Sequence, residues 1–124
     1  MSNVKYRNKK VKANGIVYDS KKEYYRHCHL LALEKAGIIK KLERQRKFVL
    51  IPAQREPDII GVRGGIRKGN IIERECAYVA DFCYEMNGET IVEDVKSSAT
   101  KTKDYIIKRK LLLSTYGLRI HEID

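Results

Sequence analysis

The sequence of 124 residues has few of the features that identify secreted, membrane-spanning or disulfide-linked proteins. It contains only 2 prolines and 8 glycines, and its 43% hydrophobic and 34% charged residues are typical of one globular domain. No apolar stretch approaches the roughly 18 residues that a membrane span requires. The basic N-terminal segment is not followed by an apolar region. We therefore expect neither a secretory leader nor a membrane span.

Several common site chemistries are also missing. The 3 cysteines, Cys28, Cys76 and Cys83, are an odd number and none lies in a Cys-x-x-Cys pair, which argues against a disulfide framework and a zinc knuckle. His27-Cys28-His29 is not a metal site either, because consecutive helical residues point about 100° apart. Neither a phosphate-binding Gly-x-x-x-x-Gly-Lys-Ser/Thr loop nor a Gly-x-Ser-x-Gly elbow is present. We expect a reducing, cytoplasmic compartment.

Positive charge is the main compositional signal. The 26 lysines and arginines outnumber 16 acidic residues, giving a net charge of +10 and favouring a phosphate-backbone partner over a basic protein with no nucleic-acid role. Residues 75–95 invert this pattern, since they contain six acids and no Lys or Arg. Such a segment weakens phosphate binding unless its acids bind a metal cation or face away from the ligand as a solvated hairpin. Charge alone leaves both interpretations open.

The spacing of apolar residues predicts an α/β protein. We predict a basic N-terminal arm or small hairpin over 1–19, with Asn14-Gly15 as its turn, followed by a core over 20–124. The core is expected to contain helices over 21–36 and 102–116, ended by Gly37 and Gly117, and strands over 42–51, 76–85, 89–97 and 118–123. The glycine-rich segment 54–73 is expected to be a long mobile loop. A right-handed crossover makes the last two strands parallel in a mixed sheet.

The turn at Asn87-Gly88 brings two acids together. If the turn has two residues, Met86 faces Glu89, and Asp81 falls directly opposite Asp94. Lys96 shares the face of Asp94 and lies diagonal to Asp81, because side chains alternate with a period of two. The other face is expected to be a core surface apart from Glu93, and its members are Tyr78, Ala80, Phe82, Tyr84, Ile91 and Val95.

Two aspartates on paired strands need compensation, since like charges roughly 5 Å apart repel each other. A divalent cation with oxygen ligands, Mg²⁺ or Mn²⁺, would provide it, and the alternative is a surface ion-pair cluster in which Lys96 alone neutralises the pair. Glu23 is a candidate third acid, although Ser20-x-x-Glu23 fits a capping box equally well. His27, one turn further along the same face, would contact phosphate or water, or would simply be a surface residue.

These residues resemble a known family. Asp81, the tight hairpin, Asp94-Val95-Lys96 and Glu23 on a preceding helix look like the PD-(D/E)XK nuclease superfamily. Within it, the chain resembles small phage-type Holliday junction resolvases, through 18–23, 42–45, 78–82 and 92–96, over about 5–122 in all. Two departures are that Ala80 replaces the signature proline and that Asp94 replaces the commoner glutamate. Glu93, next to Asp94, is a competing candidate ligand.

The resemblance implies a restriction-endonuclease-like core with the order α-β-β-β-α-β. It further implies that Asp81 and Asp94 bind a catalytic Mg²⁺ or Mn²⁺, with the Val95 carbonyl as a further ligand and Glu23 binding or orienting a metal. Lys96 would position or deprotonate the attacking water. The resemblance also implies a homodimer acting on DNA, encoded by a phage or prophage.

The sequence thus predicts a metal-dependent endonuclease for branched DNA. DNA would be held mainly through its backbone by seven basic residues, namely Lys9, Lys10, Lys12, Lys101, Lys103, Lys108 and Arg109. One alternative is a non-catalytic basic DNA-binding module in which Asp81, Asp94 and Lys96 only form ion pairs. Another is an assembly protein whose charge serves a protein partner.

Overall fold

A mixed four-stranded sheet with a helix against each face forms the centre of the computed structural model, which describes residues 9–96 and 101–124. The elements in chain order are β1 (Val11–Ala13), β2 (Ile16–Tyr18), α1 (Lys21–Lys35), β3 (Lys40–Ile51), β4 (Gln54–Arg55), β5 (Ile59–Ile60), β6 (Ile66–Arg67), β7 (Ile71–Glu73), β8 (Cys76–Met86), β9 (Glu89–Val95), α2 (Lys103–Tyr116) and β10 (Ile120–Ile123). The central sheet has the strand order β10-β9-β8-β3. The predicted α/β class and mixed sheet are therefore confirmed.

The sheet acquires its mixed character from one parallel pair. β3, β8 and β9 are successively antiparallel, while β10 returns after α2 and pairs parallel to β9, as the sequence predicts. Near the N-terminus, β1 and β2 form the two-stranded ribbon that was one of the two predicted forms of that segment. Its turn residues Asn14 and Gly15 have φ values of 52° and 79°, which suit a tight hairpin turn.

Both helices begin at side-chain caps. Ser20 accepts a hydrogen bond from the Glu23 N–H at 3.2 Å, and Thr102 accepts one from the Tyr105 N–H at 3.1 Å. Gly117 ends α2 in the left-handed region at φ 70°, where a residue with a Cβ would be strained. Of the helices in the described ranges, neither is long and apolar enough to cross a membrane.

The core consists of two layers, one on each side of the sheet. Tyr78, Ala80 and Cys83 of β8 pack with Leu112 of α2. The second layer joins α1 to the sheet and contains Leu30, Ile39, Phe82 and Tyr84, with Ile91 and Val95 packed against it. Consecutive residues Phe82 and Cys83 are thus both buried because each faces a different helix.

The prediction that one face of β8 and β9 forms the core surface is wrong, because the core-facing side of β8 changes at Asp81. Tyr78 and Ala80 face α2, whereas Phe82 and Tyr84 face α1, so the alternation of side chains is interrupted between Ala80 and Phe82. The neighbouring strand is irregular at the same level. Gln45, between the pairs Arg44–Phe82 and Arg46–Ala80, has φ 53°. Asp81 therefore lies at the point where the alternation of β8 side chains between the α1 side and the α2 side is interrupted.

The segment 54–73 differs from the expected unstructured loop. It forms two short antiparallel ribbons, β4 with β7 and β5 with β6, which we call the β-arm. Its isoleucines explain the difference, because β-branched residues between the glycines favour extended pairing. At Gly69, between β6 and β7, the chain passes so close to the connection between β4 and β5 that an added Cβ would lie 2.0 Å from the Glu56 carbonyl oxygen. This close approach joins the two ribbons.

We expect Gly69→Ala to loosen the β-arm, because the new methyl group would overlap the Glu56 backbone, at a cost of about 1–3 kcal/mol in local stability. Hydrogen exchange of the arm amides, or cleavage by trypsin within 54–73, should become about tenfold faster. Gly65→Ala is the matched control, since a Cβ at Gly65 meets no atom within 4 Å. Equal exchange rates in the two variants would contradict the assigned packing.

Candidate functional site

An open cleft of about 460 Å³ lies where β9 ends, between β8 and the first turns of α2. Asp81, Asp94 and Lys96, three of the residues selected from the sequence, line it together. The other lining residues are Asp19, Gln45, Ala77, Tyr78, Val79, Thr102, Asp104, Tyr105 and Lys108. The structure thus brings two carboxylates and an ammonium group to one concave surface.

The β8–β9 hairpin has the register that a two-residue turn predicts, from Met86–Glu89 to Phe82–Glu93. The backbone ladder stops one pair before Asp81 and Asp94. At this level the Asp81 side chain continues the pairing, because its Oδ2 accepts a hydrogen bond from the Val95 N–H at 2.8 Å. Its carboxyl group lies close enough to that of Asp94 to raise the pKa of Asp94. The two acids therefore meet although the strands no longer pair regularly.

Burial strongly affects the ionisation of Asp94. Only 3% of the Asp94 surface is exposed. Burial, followed by the hydrogen bond and negative charge of Asp81, raises the pKa of Asp94 to about 8. Lys96 opposes this shift, with its Nζ 3.5 Å from Asp94 Oδ2. Without a further cation, Asp94 therefore keeps a proton at neutral pH, whereas a solvent-exposed aspartate would be ionised.

Two tyrosines complete the wall around Asp94. The buried hydroxyl of Tyr78 lies beside Asp94 but has no partner in good hydrogen-bonding geometry among the residues described. Burial and the nearby Asp94 charge raise the pKa of Tyr78, so the group stays a neutral donor. Lys96 Nζ lies 4.6 Å from the centre of the Tyr105 ring, a cation–π contact that restrains the ammonium group. An unsatisfied buried hydroxyl is costly, which suggests a site that receives a polar ligand or water.

Glu23 is brought to the same region from α1 but by a different route. Its carboxylate is buried and accepts hydrogen bonds from Arg44 at 3.3 Å and Gln45 at 3.4 Å. The predicted capping box is only half formed, because Ser20 caps the Glu23 N–H while the Glu23 carboxylate faces β3. Burial, followed by the charge of Asp81, raises the pKa of Glu23. In 9–96 and 101–124, however, no three acidic, His or Cys side chains are close enough to hold one metal ion.

Glu93 serves the opposite side of the sheet from Asp94. Its carboxylate is buried, accepts from Arg26 Nε at 2.8 Å, and also accepts from the Tyr84 hydroxyl. Both partners belong to the α1 side of the core. Glu93 therefore has a structural role under α1 and does not line the cleft. The sequence alone leaves it as a competing candidate for the metal-ligand role of Asp94.

His27 is buried rather than a surface residue. Its Nδ1 lies 2.6 Å from the Tyr18 hydroxyl, and its ring stacks on Phe82 with the centroids 5.5 Å apart. Burial, followed by the Arg44 charge, lowers the pKa of His27. Arg44 in turn lies 4.6 Å above the Tyr18 ring and holds Glu23. His27 therefore packs behind Glu23, to which it is linked through Tyr18 and Arg44.

The seven basic residues selected for DNA contact have different surroundings. Lys9, Lys10, Lys12 and Lys103 are exposed. Lys101 and Arg109 both pair with Glu122 at 3.1 Å, on the α2 side of the cleft. Lys108 lines the cleft itself and lies 3.6 Å from Asp104. These ion pairs reduce the charge available to a phosphate group without removing it.

Several side chains that line the cleft were not selected from the sequence, among them Gln45, Tyr78 and Tyr105. Tyr78 was assigned to the core because of its strand position, and nothing in its spacing separates a buried hydroxyl beside an acid from ordinary packing. Gln45 reaches Glu23 and lines the cleft with Asp81 only because β3 pairs with β8. That register is not set by a short turn, since the β-arm separates the two strands.

The site belongs to an α/β domain with a mixed sheet, two helices and an acidic pair at the end of its central hairpin. The chain is a member of the family described as Protein of unknown function (DUF1064), whose family model matches residues 3–122. No curated protein and no solved structure matches it. The family therefore covers the whole site, and the chemistry must be inferred from the residues.

Asp94→Asn should stabilise the metal-free protein increasingly as the pH rises. Because the folded-state pKa of Asp94 is raised, folding retains a proton that the unfolded chain loses, so wild-type stability falls between about pH 4 and 8. This group contributes a slope of up to about 1.4 kcal/mol per pH unit. Urea unfolding of both proteins across this range measures it. Asp124→Asn, at an exposed carboxylate, is the control, and parallel pH curves for wild type and Asp94→Asn would contradict the shift.

Proposed function

We propose that this protein is a metal-dependent endonuclease that hydrolyses DNA phosphodiester bonds, with branched DNA of the Holliday-junction kind as its substrate. The proposal places the chain in the PD-(D/E)XK superfamily with a restriction-endonuclease-like core. The observation that supports it most is the meeting of Asp81 and Asp94 beside Lys96 in an open cleft. A carboxylate pair that must hold a proton when alone is a poor structural element but a good receptor for a divalent cation.

The chemistry of the donors fits Mg²⁺ or Mn²⁺. Asp81 and Asp94 provide hard oxygen ligands, and the Val95 backbone adjoins them through its hydrogen bond to Asp81. Mg²⁺ is commonly bound by one or two carboxylates and retains several waters, so a third acidic ligand is not required. When bound, such an ion lowers the pKa of a water ligand and neutralises developing negative charge on the phosphoryl oxygens. Glu23 would then orient a metal-bound water, or the metal itself, without being one of its direct ligands.

Lys96 is suited to act on the reacting phosphate. Asp94 and the Tyr105 ring hold its ammonium group inside the cleft, where it would position the attacking water and stabilise negative charge on the phosphoryl group. The neutral Tyr78 hydroxyl, beside Asp94, would donate a hydrogen bond to a bound water or phosphate oxygen. The exposed lysines near β1 and α2 would bind neighbouring phosphates without reading sequence.

Asp81→Asn is expected to abolish cleavage while leaving DNA binding in place, because it removes one metal ligand but no cation. Cleavage of four-way junctions, flaps and linear duplex would be measured with Mg²⁺ or Mn²⁺ and with chelator, alongside binding by fluorescence anisotropy. Activity should fall by about a hundredfold or more. Asp124→Asn should cleave like the wild type, since Asp124 lies on the surface and pairs with Lys22.

Two results would overturn the proposed activity. Wild-type protein that leaves all three DNA substrates intact with either metal is not a nuclease of this kind. Cleavage by Asp81→Asn at the wild-type rate would show that the acidic pair is not the reactive centre. DNA binding without any cleavage would instead identify the non-catalytic module.

Lys96→Met is expected to lower the cleavage rate by about 10²–10³-fold while retaining metal binding, because the acids remain but the ammonium group that positions water and stabilises charge is lost. Metal binding would be followed as the Mg²⁺-dependent rise in thermal stability, which wild type and Lys96→Met should share and Asp81→Asn should lack. Lys40→Met provides the matched control, since Lys40 is exposed at the start of β3, beside the Asn87-Gly88 turn and outside the cleft lining. Unchanged cleavage by Lys96→Met would exclude a role in the reaction.

A further inference from the structure

The tip of the β-arm presents an unusual combination of side chains. Ile60 and Ile66 are 76% and 74% exposed, and Val62 between them is fully exposed. The same ten residues, 59–68, contain Arg63, Arg67 and Lys68 and no acidic residue. Exposed apolar residues on a short ribbon are an aggregation hazard unless a partner covers them.

The arm leaves the central sheet at the end where the candidate site lies. It connects β3 to β8 beyond the pair Ile51–Cys76, and the next residue of β8, Ala77, already lines the cleft. The turn at Asn87-Gly88 lies at the other end of β8, beside Ile38 and Lys40. Nine residues from the start of the arm to Val62 span at most about 30 Å, or roughly nine base pairs along a duplex.

The charge of the tip indicates the partner. The three cations are exposed and outnumber the neighbouring Asp58, whose Oδ1 accepts a hydrogen bond from the Gly69 N–H at 3.3 Å. This excess of positive charge suits a polyanion, whereas an apolar protein surface or a second copy of this cationic chain would leave it largely unneutralised. Proteins that deform DNA combine basic residues with apolar side chains inserted between base steps, and unstacking costs least where bases are already poorly stacked. A branch point in DNA is such a place.

We infer that the β-arm is a second DNA-binding element that recognises the branch. In this arrangement Arg63, Arg67 and Lys68 bind phosphates, while Ile60 and Val62 contact bases exposed at the junction. The inference rests on the proposed function, because it gives the arm the task of selecting the DNA structure that the cleft would cut. It adds a contact surface separate from the cleft residues and from the lysines of β1 and α2.

The test measures binding of the full chain in the presence of a chelator, so that cleavage does not interfere. Affinities would be compared for a fluorescent four-way junction and for a linear duplex built from the same sequences. Two arm variants remove the apolar and the charged contacts separately, Ile60→Ser/Val62→Ser and Arg63→Ala/Arg67→Ala. The matched controls are Ile38→Ser, 54% exposed, and Lys40→Ala, both at the opposite end of β3.

We expect the apolar variant to bind the junction about five- to tenfold more weakly and the duplex almost unchanged. The Arg63→Ala/Arg67→Ala variant should weaken binding to both DNAs and reduce the slope of log affinity against log salt by about 2, since two phosphate contacts are lost. A 2-aminopurine base at the branch should brighten with wild type and less with Ile60→Ser/Val62→Ser. The control variants should match the wild type.

Three results would overturn the inference. Junction and duplex affinities unchanged in both arm variants would exclude the arm as a DNA contact, even if the protein cleaves junctions. A shift from dimer to monomer in the arm variants, with unchanged DNA affinity per dimer, would show that the tip binds a second copy. Wild-type protein that binds no DNA would remove both proposals, whereas arm-dependent binding without cleavage would retain the arm and reject only the nuclease.

Discussion

The repulsion between Asp81 and Asp94 is the constraint around which the site is arranged. Each acid has a partner that limits this repulsion, the Val95 N–H for Asp81 and the Lys96 ammonium group for Asp94. Neither partner prevents the pKa of Asp94 from rising, because burial is the largest cause of the shift. The fold therefore keeps an electrostatically unfavourable pair in place by packing around it, which is typical of sites that bind or react.

The irregularity at Asp81 is part of the same arrangement. A regular β8 would present Asp81 to one face of the sheet, but the change of alternation between Ala80 and Phe82 places it at the end of β9 instead. Gln45 adopts a left-handed conformation at the matching position of β3 and reaches Glu23. The backbone is thus distorted on two adjacent strands at the level where Glu23 of α1 lies near the acid pair of the hairpin.

Local sequence rules predicted the parts of this structure that depend on neighbouring residues. The Asn87-Gly88 turn set the hairpin register, and Ser20 and Gly117 marked helix ends, because each acts over a few positions. The burial of His27 and the partners of Glu23 and Glu93 could not be predicted in this way. They depend on which helix lies against which face of the sheet, and on a β3–β8 register that no short connection determines.

Glu93 and Asp94 are adjacent in the chain, and the pleat of β9 sends them to opposite layers. One completes an ion pair with Arg26 under α1, and the other meets Asp81 in the cleft. Lengthening the Asn87-Gly88 turn by one residue would shift β9 by one position, putting Glu93 opposite Asp81 and leaving Arg26 next to Val92, without a carboxylate partner. The two-residue turn thus decides which of two neighbouring acids holds the domain together and which remains available to a ligand.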